Sequence, residues 1–176
     1  MADPKPSPSI RILTVTVSDS RKRETDESGK TLDRELTSAG FEVIRHVIVK
    51  DEPEFIRDLV RLTANGNEAD AIILTGGTGI TPRDNTYEAL EEVFQKRIVG
   101  FGEAFRRISY DEIGPHAILS RATAGVYNEC VVFSLPGSTN AVVIGVKLII
   151  PVLRHAVDLA SGRSTHTLMN AASLPR

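Results

Sequence analysis

The chain has 176 residues, about one domain by length, and is 41% hydrophobic and 25% charged. A formal net charge of −2 and a pI near 6.1 give no basic face for nucleic acid and none for an anionic membrane surface. The single cysteine, Cys130, excludes an internal disulfide framework. Its apolar neighbours Val131, Val132 and Phe133 point to an inert buried thiol.

Residues 1–9 carry Pro4, Pro6 and Pro8 and read as a flexible arm without the apolar stretch of a signal peptide. No run has the length to cross a bilayer, so the cytoplasm is the expected location. Ile10 to Val17 is rich in β-branched residues and reads as a strand. A charged stretch to Lys30 reads as a loop. Leu32, Glu35, Leu36 and Ala39 stand at helical spacing, with Gly40 as a stop, so the pattern predicts a helix over Thr31 to Ala39. Phe41 to Val49 reads as a second strand. Pro53 fits a first helical turn, and Phe55, Ile56, Leu59, Val60 and Leu62 form an apolar stripe behind it.

Ala71 to Leu74 is continuously apolar, as in a strand covered on both faces. A helix with Tyr87, Leu90, Val93 and Phe94 on one face follows the loop Thr75 to Asp84. Phe101, Phe105 and Ile108 mark another helix. Ala124 to Tyr127 and Val131 to Leu135 read as strands, with Pro136-Gly137-Ser138 as a tight turn. A long apolar helix then starts near Asn140, is kinked or restarted by Pro151, and stops near Gly162. Its excess of Val and Ile over Ala141 to Leu153 suits both core and a subunit contact. Residues 163–176 read as a polar tail. This alternation predicts one α/β domain over 10–162, a mostly parallel sheet with helices on both faces.

In such folds ligands sit beyond the carboxyl ends of strands. That selects Ser18 to Ser20, Thr75 to Asp84, Pro136 to Ser138, and Asp51. The loop Thr75-Gly76-Gly77-Thr78-Gly79-Ile80-Thr81-Pro82-Arg83-Asp84 is the richest of them. Three glycines in four positions let backbone N–H groups turn inward as an anion nest. The hydroxyls of Thr75, Thr78 and Thr81 add donors, and a helix near Asn85 would aim its positive end at the same place. The loop is neither a Walker A motif nor a dinucleotide fingerprint.

A helix terminus gives an anion only about 0.3–1 kcal/mol. Bringing two phosphate charges to about 4 Å costs roughly 4 kcal/mol at an effective dielectric of 20. A nucleotide ligand therefore implies a divalent cation. Mg²⁺ typically takes one or two carboxylates plus substrate oxygens, and Asp51 and Asp84 are placed in sequence for that task. Both also have a plain alternative: Asp51 as the cap of the helix at Pro53, Asp84 as the cap of the helix at Asn85. Arg106 and Arg107 read as a solvated face and Arg121 as a better phosphate candidate. His46, His116, His155 and His166 show no metal-ligand spacing.

Thr-Gly-Gly-Thr-Gly, four residues, then Asp resembles the signature of molybdenum cofactor biosynthesis proteins of the MoaB/Mog type. Four further segments match in order: Val17-Ser18-Asp19-Ser20 with Ser28-Gly29, Gly100-Phe101-Gly102-Glu103, Ile118-Leu119-Ser120-Arg121, and Leu135-Pro136-Gly137-Ser138. The short segment after Leu135 is similar to the MoaB branch; Mog-type members carry a longer one. The resemblance implies a three-layer α/β sandwich and adenylylation of molybdopterin, with ATP as co-substrate and Mg²⁺ as cofactor. It implies that Gly76, Gly77, Thr78 and Gly79 cradle phosphate, and that Asp51 and Asp84 serve Mg²⁺ and the reacting phosphates. Ser18, Asp19, Pro136, Gly137 and Ser138 would line the pocket. It also implies a homotrimer or homohexamer and transfer of the product to a metal-insertion enzyme. A carrier that binds molybdopterin without chemistry is the second reading. An unrelated anion-binding or signalling domain is the third.

Overall fold

A computed structural model describes residues 9–163. The expected arm and polar tail therefore lie almost wholly outside the described residues, as does His166. Six strands and five helices follow in order: β1 Arg11–Val17, α1 Glu27–Ser38, β2 Glu42–Val49, α2 Pro53–Asn65, β3 Ala71–Thr75, α3 Thr86–Glu91, β4 Lys96–Arg97, α4 Val99–Ile113, β5 Thr123–Tyr127, β6 Cys130–Leu135 and α5 Thr139–Ala160. A 3₁₀ segment, Gly114–Leu119, joins α4 to β5. Among the described residues no helix is long and apolar enough to cross a membrane.

The strands form one sheet in the order β2-β1-β3-β6-β5-β4. The first four run parallel; β5 is antiparallel to β6 and β4 to β5. The expectation of a mostly parallel sheet holds, with the last hairpin as its antiparallel part. Asn128 and Glu129 turn that hairpin with φ of 45° and 67°, the left-handed pair that a two-residue hairpin loop requires.

The side-chain period of two sorts β3 between two cores. Ala71 and Ile73 face one core, with Leu32 and Leu36 of α1, Phe101 and Phe105 of α4, and Val142, Ile149 and Leu153 of α5. Ile72 and Leu74 face the other, with Ile56 and Val60 of α2 and Leu90 of α3. Three layers result, as the resemblance implied. Ile72, Ile73 and Leu74 are fully buried, each worth about 1.5–3 kcal/mol. Burial also pushes the Cys130 thiol up to about 12, which leaves it protonated and inert.

Several boundaries differ from the pattern-based expectations. Helix α1 starts at Glu27, not Thr31, because Asp26 caps it: its carboxylate accepts Gly29 N–H at 3.0 Å. Helix α3 stops at Glu91, so Val93 and Phe94 pack from a turn. Phe55 and Leu62 project outward, 54% and 72% exposed, so the buried stripe of α2 is narrower than expected. Ile108 likewise sits at the margin of α4. Helix α5 runs through Pro151 without restarting. Pro151 lies on the exposed side, where water can serve the carbonyl it leaves unpaired.

One polar cluster is built into the first core. Thr14 and Thr16 of β1 are fully buried. Thr16 Oγ1 donates to Asp26 Oδ2 at 2.5 Å, and His46 Nε2 lies 3.0 Å from the same oxygen. On the other side of the ring, Nδ1 lies 2.9 Å from Thr14 Oγ1, which donates to Asp33, and 3.5 Å from Asp33 Oδ1. Both ring nitrogens thus face acceptors, the arrangement an imidazolium satisfies. Asp33 and then Asp26 hold the His46 pKa above its ordinary value, against burial. Burial works to raise the Asp26 carboxyl, but Thr16, the Gly29 N–H and His46 outweigh it and leave it below the usual carboxylate range.

The His46 pKa is raised in the folded protein, so its stabilisation is fully present below the unfolded value near about 6.5 and is lost as pH rises through the folded pKa. The melting temperature is expected to fall over that window. His46→Gln should flatten the dependence; an unchanged slope in the variant would remove His46 as its source.

Candidate active site

Parallel register brings three loops out side by side. Thr16 of β1 pairs with Thr75 of β3, and Thr75 with Leu135 of β6. Gly76 N–H donates to Leu135 O at 2.9 Å, and a Cβ on Gly137 would stand 3.2 Å from Gly76 Cα. A cleft of about 560 Å³ opens there. It is lined at one end by Gly76, Gly77, Thr78, Gly79 and Asp84, and across from them by Pro136, Gly137, Ser138 and Asn140.

The glycines are fixed by geometry. Gly76 and Gly77 have φ of 105° and 65°, which side chains other than glycine's rarely tolerate. A Cβ on Gly76 would collide with the Val17 carbonyl, one on Gly77 with Thr86 Oγ1 and Asp51 Oδ2, and one on Gly79 would lie 2.7 Å from Asp84 Oδ2. The two acids therefore reach the same loop at different glycines.

Neither acid caps the helix that follows it. The cap position of α2 is Glu52, without a side-chain hydrogen bond. Asp51 is buried and reaches across the sheet end, its Oδ1 accepting the Asn85 N–H at 3.0 Å. Burial raises the Asp51 pKa first, the Asn85 N–H opposes it, and the charges of Asp84 and Asp19 push it further up. Asp84 turns back on its own loop, where Oδ2 accepts Thr81 N–H at 2.8 Å and Thr81 Oγ1–H at 2.6 Å.

Helix α3 is a weaker anion end than expected. It has six residues, and two N–H groups at its start are engaged, Asn85 with Asp51 and Thr86 with Gly77 O at 3.0 Å. The 22-residue helix α5 opens on the opposite wall, capped by Ser138 Oγ accepting Ala141 N–H at 3.2 Å. Its first turn is the stronger positive end. A serine followed by a long apolar helix was the available signal.

Ser18 and Asp19 are not among the residues that line this cleft, and neither is Asp51, which meets the loop at Gly77. Ser18 Oγ accepts the N–H groups of Ser20 and Arg21 and shapes its own turn. Asp19 is paired with Arg83, which lowers its pKa, and accepts Asp51 N–H at 3.3 Å. It supports Asp51 from behind.

Two arginines brace the loops. Arg121 Nε donates to Gly79 O at 2.8 Å and Nη2 to Asp84 O at 3.0 Å, while Nη1 pairs with Glu88 and the guanidinium lies 5.2 Å from the Tyr87 ring centre. With its donors so engaged, Arg121 holds the loop rather than a phosphate. Arg21, which periodicity could not reveal, pairs with Ser28 and Asp26 and donates to Gly137 O at 2.7 Å. Arg106 donates to backbone carbonyls of Ser120 and Ala122; Arg107 pairs with Asp111 on the surface.

The cleft also has apolar lining, Phe105, Ile113, Ala117, Ala141 and Ile144, together with His116 and Ser120. Ser109 also lines it, and its buried hydroxyl has no partner. The cavity thus combines glycine-loop backbone with apolar side chains, the mixed lining of a small-molecule site. Among the described residues no group of three or more His, Cys, Asp or Glu is set to hold a metal ion. Two carboxylates and a phosphate-facing loop are nonetheless the donor set Mg²⁺ uses when substrate supplies the remaining oxygens.

Residues 13–155 match the family described as "Probable molybdopterin binding domain". Molybdenum cofactor biosynthesis protein B of Bacillus subtilis (strain 168) is 48% identical over 150 residues, covering 84% of this chain and 88% of the relative. A crystal structure of a molybdenum cofactor biosynthesis protein B superposes with a TM-score of 0.84 at 45% identity, covering 88% and 98% of the two chains. The tungsten cofactor synthesizing protein MoaB from Pyrococcus furiosus superposes with a TM-score of 0.75 at 39% identity, covering 88% and 99%.

Arg121→Lys replaces a planar fork with a point charge that cannot hold both carbonyls and Glu88. Amide exchange over Gly79 to Asp84 is expected to quicken at least about tenfold, the loss of about 1.4 kcal/mol of local protection. Unchanged exchange would show that the loop holds itself.

Proposed function

The chain belongs to the MoaB family of molybdenum cofactor biosynthesis proteins, and we propose that it is a molybdopterin adenylyltransferase. In this reading AMP passes from ATP to the terminal phosphate of molybdopterin, and pyrophosphate leaves. The observation that carries it is the single cleft lined both by the glycine loop and the start of α5 and by the apolar side chains of Phe105, Ile113 and Ile144.

The attacking phosphate already bears about −1.5 to −2 charge at neutral pH, so no general base is required. One of its oxygens bonds to the α-phosphorus of ATP. The bond from that phosphorus to the α–β bridging oxygen breaks, and its electron pair leaves with pyrophosphate. The work left to the protein is alignment and charge neutralisation. The amides of Gly77, Thr78 and Gly79 and the first turn of α5 would grip phosphate oxygens, while the Gly76 N–H stays with Leu135 O. Asp51 and Asp84 would hold Mg²⁺; burial first, and the charges of Asp84 and Asp19 after it, raise the Asp51 pKa, and a bound cation would favour its charged form. Mg²⁺ would supply charge neutralisation at the phosphates. Ring stacking on the apolar lining, beside Phe105 and Ile144, would orient the pterin or the adenine.

A non-catalytic carrier that binds molybdopterin is the second reading. The carrier and the enzyme share the cleft and differ in pyrophosphate release. Assembly into a trimer or hexamer, with onward transfer to a metal-insertion enzyme, belongs to the same proposal. Val152 and Leu159 of α5, about half exposed, offer apolar surface for the subunit contact. Light scattering should then give three or six chain masses; a single chain mass would remove the assembly.

The enzyme is tested with molybdopterin, ATP and Mg²⁺. Adenylylated product and pyrophosphate are expected in equal amounts. Pterin binding with no pyrophosphate would replace the enzyme with the carrier. Asp84→Asn should lower turnover on the order of 10²-fold while the melting temperature stays near that of the parent. Full activity in that variant would end the role given to Asp84.

A further inference from the structure

Thr86 is completely buried, and its hydroxyl has no hydrogen-bond partner. Its N–H is engaged with Gly77 O at 3.0 Å, so the residue is held firmly while its side-chain oxygen is left idle. A buried hydroxyl without a partner in a native protein calls for a reason. Beside it lies Asp51 Oδ2. The same missing Cβ of Gly77 makes room for both oxygens. Asp51 is divided in its use: Oδ1 accepts the Asn85 N–H at 3.0 Å, while Oδ2 accepts no hydrogen bond among the described residues. A buried, idle donor and an acceptor without a protein partner therefore face one α-carbon.

We infer that Thr86 is a positioning residue, whose hydroxyl donates to Asp51 Oδ2 when the site takes up its divalent cation and so fixes the direction of the carboxylate. The inference rests on the reading of Asp51 as an acid of the proposed site. The torsion that turns a carboxylate is soft, so a small rotation of Asp51 closes the bond without moving the backbone. Asn85 on Oδ1 and Thr86 on Oδ2 would then grip the carboxylate from both sides. Outer partners of this kind are known to set ligand orientation and affinity at metal centres. Threonine suits the position because its methyl fills the space a valine would fill and its hydroxyl adds the donor.

Stability and binding separate the two explanations of the idle hydroxyl. Thr86→Val keeps the shape and deletes the oxygen. No hydrogen bond is lost from the free protein, so the melting temperature should equal or exceed that of the parent. Affinity for Mn²⁺ alone, followed on the full chain by the spectroscopic signal of the free ion, should fall about tenfold or more. Thr86→Ser should keep it. Asp51→Asn, measured alongside, should abolish it. If Thr86→Val binds Mn²⁺ as tightly as the parent while Asp51→Asn does not, the role of Thr86 is overturned and the cation reading of Asp51 stands. If the parent itself binds no Mn²⁺, or Asp51→Asn binds it normally, the cation reading fails and takes this inference with it. Should valine fail to fold, Thr86→Ala removes the same oxygen, and the same comparison decides.

Discussion

The cleft depends on the absence of side chains at Gly76, Gly77 and Gly79. Each missing Cβ is a place where another chain segment comes close: the Val17 carbonyl at the first, Asp51 and Thr86 at the second, Asp84 at the third. Two segments far apart in sequence, at Val17 and Asp51, thereby meet one short loop, which Asp84 and Thr86 close on itself. A single methyl would force one of them away, and with it a charge or a strand end. The loop is best understood as a socket for its neighbours before it is a cradle for a ligand.

Its shape is then secured from outside. Arg121 ties the carbonyls of Gly79 and Asp84, and Arg21 ties that of Gly137. Both guanidiniums are anchored in turn, by Glu88 and by Asp26. Rigid loops lose little freedom when a ligand arrives, which leaves more of the contact energy for affinity. The anchor at Asp26 also joins the cleft to the polar cluster under α1. His46 is thus linked to Gly137 by three contacts, through Asp26 and Arg21.

The alternation of strands and helices, the two-sided burial of β3 and the glycine loop were legible because period and composition are local properties. Asp51 and Asp84 could be placed near the loop, but not told apart from helix caps. That choice depends on Asp51 reaching Asn85 across the sheet end, a contact 34 residues apart. The contact of Asp19 with the Asp51 N–H was hidden for the same reason. Arg21 and Arg121 act on backbone carbonyls, which carry no residue identity to read. The early start of α1 was readable in Asp26 and Gly29, yet the surrounding charges hid it. The apolar half of the cleft comes from α4, the 3₁₀ segment and α5 together, which no single window of sequence contains.

The two ends of the sheet are unlike. At one end β4 has only two residues, Lys96 and Arg97, both exposed. At the other, β2 is eight residues long with its outer edge unpaired, but it carries Arg45 and the inward His46 and meets β1 through a register shift at Ile12 and Leu13. A stub of two cations cannot template a further strand, and a bulged, charged border resists one. Sheet extension between copies is blocked at both borders. Any association of identical chains is then left to the helical layers.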